Sequence, residues 1–198
     1  GDVSGDTHFG GVRVDHTLLR LTEVELPPFK AAIDAGVGAV MTAHINAIAL
    51  DPDHPATLSS IILRQLLRSR MDFDGLIITD AMDMHAVARL GRAHAVCEAL
   101  NAGVDLALLG HIPAQQLFAK RIPFTPDPDS LRRIAEARSR LPAWESLPSI
   151  DWVGCAEHQQ VAQQIADRSI TLVRDNGRLP LQLQPEHQVA VVTVAPTN

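Results

Sequence analysis

The chain is 198 residues long, 46% hydrophobic and 20% charged, with a formal net charge of −6 at pH 7. That apolar share is enough for one or two packed domains and excludes a wholly disordered chain. The 17 Lys and Arg are scattered and outnumbered by 23 Asp and Glu, so no nucleic-acid partner is expected; no apolar run reaches the ~18 residues of a membrane span, so no membrane partner is expected either.

Residues 19–36 predict an amphipathic helix, with Leu21, Val24, Phe29, Ala32 and Ile33 on one stripe and Gly36 as its stop. Pro27 and Pro28 have no N–H to donate and mark a kink or a second start inside it. The run VGAVMTAHI at 37–45 has the pattern of a strand buried on both faces. Residues 46–58, with Pro52 and Pro55, read as a loop, and Ser59 as the N-cap of a helix carrying Ile61, Ile62, Leu66 and Leu67 at helical spacing.

The pattern then repeats. GLIIT at 75–79 predicts a strand ending at Asp80, residues 92–101 a helix closed at Gly103, and VDLALL at 104–109 a third strand ending at Gly110. Short apolar strands alternating with helices indicate a parallel α/β sheet, wound as a barrel or as an open doubly wound sheet. Residues 120–155 are proline-rich around one helix at 130–140; residues 156–172 predict another helix, Asn176–Gly177 a turn, and VAVVTV at 189–194 a fresh buried strand. Cys97 and Cys155 have neither disulfide nor metal-ligand spacing, so no metal site is expected. No cofactor fingerprint is found. The first residue is Gly1 rather than Met and no charged-then-apolar leader follows it, so the natural beginning is expected to lie upstream; the expected compartment is the cytoplasm.

In parallel α/β folds chemistry collects at the carboxyl ends of the strands. Two polar residues stand at such ends, His44 in MTAHI and Asp80 in LIITDAM. Asp80 reads either as the N-cap of the next turn or as a site carboxylate, and His44 either as a hydrogen-bonded structural histidine or as a contact to a ligand or to Asp80. The glycine-rich opening GDVSGDTHFG holds Asp2, Asp6 and His8. Asp6 can meet one ring nitrogen of His8 if the loop turns, which fixes the tautomer and leaves the other nitrogen for proton transfer; a solvent-facing polar loop is the alternative. His16, His54, His85, His94, His111, His158 and His187 read as surface residues or caps, and Met82 and Met84 as packing.

Taken in order, GDVSGDTH at 1–8, RLTEVELPPFKAAIDAGVGAVMTAHI at 20–45, PATLSSIILRQLLR at 55–68, FDGLIITDAMDM at 73–84 and ALNAGVDLALLG at 99–110 resemble glycoside hydrolase family 3, in its β-N-acetylglucosaminidase branch. The resemblance implies that residues 1–141 are the second, C-terminal half of a TIM-type (β/α) barrel, 142–164 a linker, and 165–198 the start of an α/β sandwich domain. It implies a retaining hydrolase that removes terminal β-linked N-acetylglucosamine, for instance from cell-wall muropeptides. Asp80 would be the nucleophile forming a covalent glycosyl-aspartate, and His8 with Asp6 the acid/base. His44 and Met84, the latter from the T-D-A-x-x-M stretch, would lie against the substrate. The implied partner is a carbohydrate, with no cofactor.

Asp6-Thr7-His8 stands where the family usually reads D-S-H, and Gly10-Gly11-Val12 replaces an apolar-proline stretch. The family's sugar-gripping Lys-His strand end and Arg fall upstream of Gly1, so the chain resembles an internal fragment. A β-glucosidase of the same family, with a glutamate acid from the second domain, and a catalytically silent carbohydrate-binding remnant are the competing readings. The Asp6–His8 pair argues against the first.

Overall fold

The computed structural model describes residues 3, 5–177, 179–186 and 188–190, Gln116 and Leu117 by their backbone alone. Asp2, His187 and most of the strand expected at 189–194 lie outside the described residues; Val189 and Ala190 are in no strand. The chain divides into two units, Gly1–Leu141 and Pro142–Asn198.

In the first unit the described strands are β1 (Val12–Val14), β2 (Ala39–Met41), β3 (Ile45–Ala47) and β4 (Leu76–Ile78). β1 pairs in parallel with β3, Val12 opposite Ile45, and β2 in parallel with β4, Ala39 opposite Leu76. Ile78 is bridged in parallel to Leu106. All of these pairings are parallel, as expected of an α/β fold whose strands are joined by helical crossovers.

The helical crossovers are α1 (three contiguous segments, Leu18–Arg20, Leu21–Glu25 and Leu26–Asp34), α2 (Ile61–Arg70), α3 (His85–Ala88) and α4 (Arg92–Ala102). α5 (Gln115–Ala119) and α6 (Pro128–Ser139) complete this unit. Proline chemistry explains the interior of α1. The Leu26 N–H reaches back five residues to the Leu21 carbonyl, a wide π-type turn, and Pro27 and Pro28 then open the third segment where their missing N–H groups cost nothing. The proline pair is therefore a second start. The helix ends as its glycine predicts: Gly36, at φ +83°, lets its own N–H reach Ile33 and the Val37 N–H reach Ala32. Of the predicted stripe, Leu21 is buried, Ile33 half-buried, and Val24, Phe29 and Ala32 exposed.

Two strand expectations are corrected. The run 37–45 is not one strand buried on both faces. It breaks at 42–44, where the chain changes partner from β4 to β1, and Ala39 and Met41 are exposed. Residues 104–109 make no ladder beyond the bridge, because the Asp105 and Leu106 N–H groups both turn to the Ile77 carbonyl and the Leu108 N–H to the Thr79 hydroxyl. β1 was not expected, being three residues between a glycine pair and Asp15. The apolar core joins α2, β4, α3 and α4 through side chains that include Leu63, Phe73, Ile77, Met82, Val87 and Ala99. An apolar cavity of about 220 Å³ lies between β2, β3, α1 and α2, lined by residues such as Leu21, Phe29, Val40, Leu63 and Leu67. Asp80, His8 and His44 do not line it, and a sugar would find almost no hydrogen-bond partner there.

Ser59 is the N-cap that the sequence predicts for α2: its Oγ accepts the Ile62 N–H at 3.1 Å. Its hydroxyl in turn donates to Asp51 Oδ2 at 2.6 Å, and Asp51 Oδ1 accepts the Asp53 and His54 N–H groups. Burial works to raise the Asp51 carboxyl, but the Ser59 hydroxyl and those two N–H groups hold it below its ordinary value of 3.8. A carboxyl depressed on folding stabilises the fold above its unfolded pKa, and that contribution is lost as pH falls through the folded value. The melting temperature of the protein is therefore expected to fall below about pH 4, and Asp51→Asn to flatten that limb; calorimetry across pH 2 to 6 checks it.

The second unit carries short helical turns at Trp144–Ser146 and Ile150–Trp152 and one longer helix, α7 (Ala156–Ser169). α7 is shorter than predicted and passes through residues 164 and 165 without a break. The ring of Trp152 lies 6.4 Å from that of His158.

Candidate functional site

Asp80 follows β4 directly and is half-buried. It does not cap a helix. Its Oδ1 accepts the N–H of the next residue, Ala81, at 2.7 Å, and α3 begins only at His85. Among the described residues it forms no salt bridge. The loop that carries it is stitched on one side to the 104–109 segment: the Thr79 N–H donates to Leu106, the Met82 N–H to Leu108, and the buried Thr79 hydroxyl accepts the Leu108 N–H at 2.9 Å. On the other side the Ala81 carbonyl accepts from His44 Nε2 at 3.0 Å.

His44 is 1% exposed and sits in the break between β2 and β3. Its Nδ1 lies 2.8 Å from the Thr57 hydroxyl, so both ring nitrogens are engaged within the protein and neither faces a ligand. Burial pushes its pKa below 6.5, against the Ala81 carbonyl and the Asp80 charge, which favour the protonated ring. Met84 is buried just before α3, its carbonyl accepting the Val87 and Ala88 N–H groups.

Asp6 and His8 are exposed and bonded to each other. Asp6 Oδ1 accepts the His8 N–H at 2.8 Å and lies 2.7 Å from its Nδ1. The His8 backbone N–H first, then the ring, hold the Asp6 carboxyl below its ordinary value. An ionised carboxylate only accepts, so Nδ1 carries hydrogen and Nε2 is the nitrogen left for chemistry. This loop is tied to the Asp80 loop by a residue expected only at the surface or as a cap: His85 Nδ1 donates to the His8 carbonyl at 3.1 Å, across 77 positions of sequence.

A second histidine outside the expected set, His111, braces the same loop. Its backbone N–H donates to Asp83 Oδ2 at 2.8 Å and its ring lies 3.2 Å away, and these hold the Asp83 carboxyl down against its partial burial. Gly110 is required beside them, since at φ +61° a Cβ there would meet Asp83 Oδ1 at 2.1 Å. Neither His85 nor His111 has a spacing signal; only their lying just after the two strand ends pointed to them. Among the described residues no three His, Cys, Asp or Glu side chains converge on a metal position, and no helix is long and apolar enough to cross a membrane.

The model of the glycosyl hydrolase family 3 N-terminal domain matches residues 1–123. The chain belongs to glycosyl hydrolase family 3. Within that family it is 32% identical over 213 residues to Beta-hexosaminidase A of Pseudoalteromonas piscicida, covering 92% of this chain and 36% of the relative. It is 36% identical over 183 residues to a Beta-hexosaminidase of Chromobacterium violaceum, covering 88% and 48%. A solved family 3 β-N-acetylglucosaminidase from Paenibacillus sp. str. FPU-7 superposes with a TM-score of 0.73 at 33% identity, over 89% of this chain and 37% of that one. The family 3 chain described here thus spans between a third and a half of these relatives.

Proposed function

We propose that this chain carries the nucleophile and the acid/base of a retaining glycosidase that removes terminal β-linked N-acetylglucosamine. Asp80 attacks the anomeric carbon as the bond to the leaving oxygen breaks, and the Nε2 proton of His8 passes to that oxygen. Water then attacks the glycosyl ester while His8 Nε2 takes its proton, which frees Asp80 and restores the acid. Asp6 holds the ring by Nδ1 throughout. The observation that carries this reading is the His85 bond to the His8 carbonyl, because it holds the histidine loop against the loop of the unpaired strand-end carboxylate. The parallel pairing of β2 with β4 and of Ile78 with Leu106 supports Gly1–Leu141 as the second half of a TIM-type barrel, with Asp80 just past the carboxyl end of β4.

The test uses the full-length protein carrying this chain. Aryl β-N-acetylglucosaminides are expected to be cleaved with the β-anomer of the free sugar appearing first by proton NMR, and aryl β-glucosides far more slowly. His8→Ala is expected to slow poor leaving groups by about 10²- to 10⁴-fold and activated ones much less, because an activated aryloxide needs no proton. Equal losses on both classes, or an α-anomer as first product, would overturn the assignment; cleavage of neither glycoside would leave the carbohydrate-binding reading in its place.

A further inference from the structure

His44 takes no part in the chemistry proposed above, yet it is buried within one residue of the nucleophile and makes two hydrogen bonds there. Its proton count is fixed by its partners. The Ala81 carbonyl can only accept, so Nε2 carries hydrogen. With the ring neutral, as its burial favours, Nδ1 is an acceptor and must receive the Thr57 hydroxyl at 2.8 Å. Thr57 is itself fully buried and lies 2.9 Å from the Thr42 hydroxyl, which then donates to it. Its remaining neighbour, the Ala43 carbonyl at 3.1 Å, competes for the same single proton. The bonds run one way, from Thr42 to Thr57 to His44 to the Ala81 carbonyl.

Ala81 is held at both ends. Its carbonyl is on His44 and its N–H is on Asp80 Oδ1. We infer that His44, fed by Thr42 and Thr57, is a positioning residue for the nucleophile: by setting the Ala81 backbone it aims the N–H that occupies one carboxylate oxygen of Asp80 and leaves the other to attack the sugar carbon. This rests on Asp80 being the nucleophile. It replaces the sugar contact expected for His44, because a ring with both nitrogens engaged inside the protein has none to offer a hydroxyl.

The inference is tested in the full-length protein with an aryl β-N-acetylglucosaminide bearing an activated leaving group, so that His8 is not limiting. Asp80→Asn is measured alongside, and a variant that stays active sinks the nucleophile reading and this inference with it. With Asp80→Asn inactive, His44→Phe, which fills the space without a donor, is expected to lose about 10²-fold in kcat with KM little changed, the scale of a misaimed reacting group. His44→Gln restores an N–H at the Nε2 position and is expected to recover most of that loss. Thr57→Val breaks the relay by removing the partner of His44 Nδ1 while keeping the histidine, and is expected to lower kcat in the same direction, while Thr57→Ser keeps it; this pair carries the test if His44→Phe fails to fold. Unchanged kcat in both His44→Phe and Thr57→Val, or a raised KM with kcat kept, overturns it.

Discussion

Asp80→Asn in the full-length protein is expected to lower kcat toward aryl β-N-acetylglucosaminides by on the order of 10⁴-fold, as loss of a covalent nucleophile does. The change isolates chemistry from structure. Asparagine is nearly isosteric, its carbonyl oxygen still accepts the Ala81 N–H that Oδ1 accepts now, and no salt bridge among the described residues is broken. The thermal midpoint should therefore move little while turnover collapses. Asp80→Ala makes room in addition, and azide supplied at high concentration should attack the anomeric carbon from the vacated face and yield the α-glycosyl azide. Residual activity within tenfold of wild type would remove Asp80 from the mechanism.

Asp105→Ala is expected to be the most destabilising single change in the first unit, by about 3–5 kcal/mol, read as the shift of the urea midpoint. The Asp105 side chain is wholly buried. Its Oδ2 accepts Arg68 Nη2 at 2.6 Å and the Ile77 N–H at 2.8 Å, and its Oδ1 accepts Arg133 Nε and Nη2 at 3.1 and 2.9 Å. Arg68 also donates to the Phe73 and Gly75 carbonyls and lies over the Phe73 ring, so it cannot swing out to water without breaking the turn into β4. Burial pulls its guanidinium below its ordinary pKa, with Asp105 opposing and Arg133 adding to the fall. Removing the carboxylate leaves two guanidinium ions facing each other with only the exposed Asp74, 3.7 Å from Arg133 Nη1, as a counter-charge. Asp105→Asn keeps an acceptor and loses less. This network lies before β4, at the end of the strand opposite Asp80, where parallel α/β folds keep stability rather than chemistry; kcat per folded molecule should stay near wild type in Asp105→Asn.

The features that one stretch of sequence contains were legible in it. Ser59 as the cap of α2, Gly36 and Gly103 as helix stops, the proline pair in α1 and a carboxylate directly after an apolar strand all follow from the conformational needs of single residues and their near neighbours. The Asp6–His8 bond belongs with them, since two residues of separation leave only a loop turn to decide. The order of these pieces was enough to place the chain in its family.

Tertiary structure decided the rest. The break of the 37–45 run, the failure of 104–109 to extend a ladder, the burial of His44 against Thr57 and Ala81, the His85 bond to the His8 loop and the closure of Asp105 on two arginines each join residues 13 to 77 positions apart. Hydropathy and spacing report which groups prefer water and which backbone angles are cheap. They carry no record of which donor a distant acceptor will meet, because that is settled only when strands pair and bury their polar groups together.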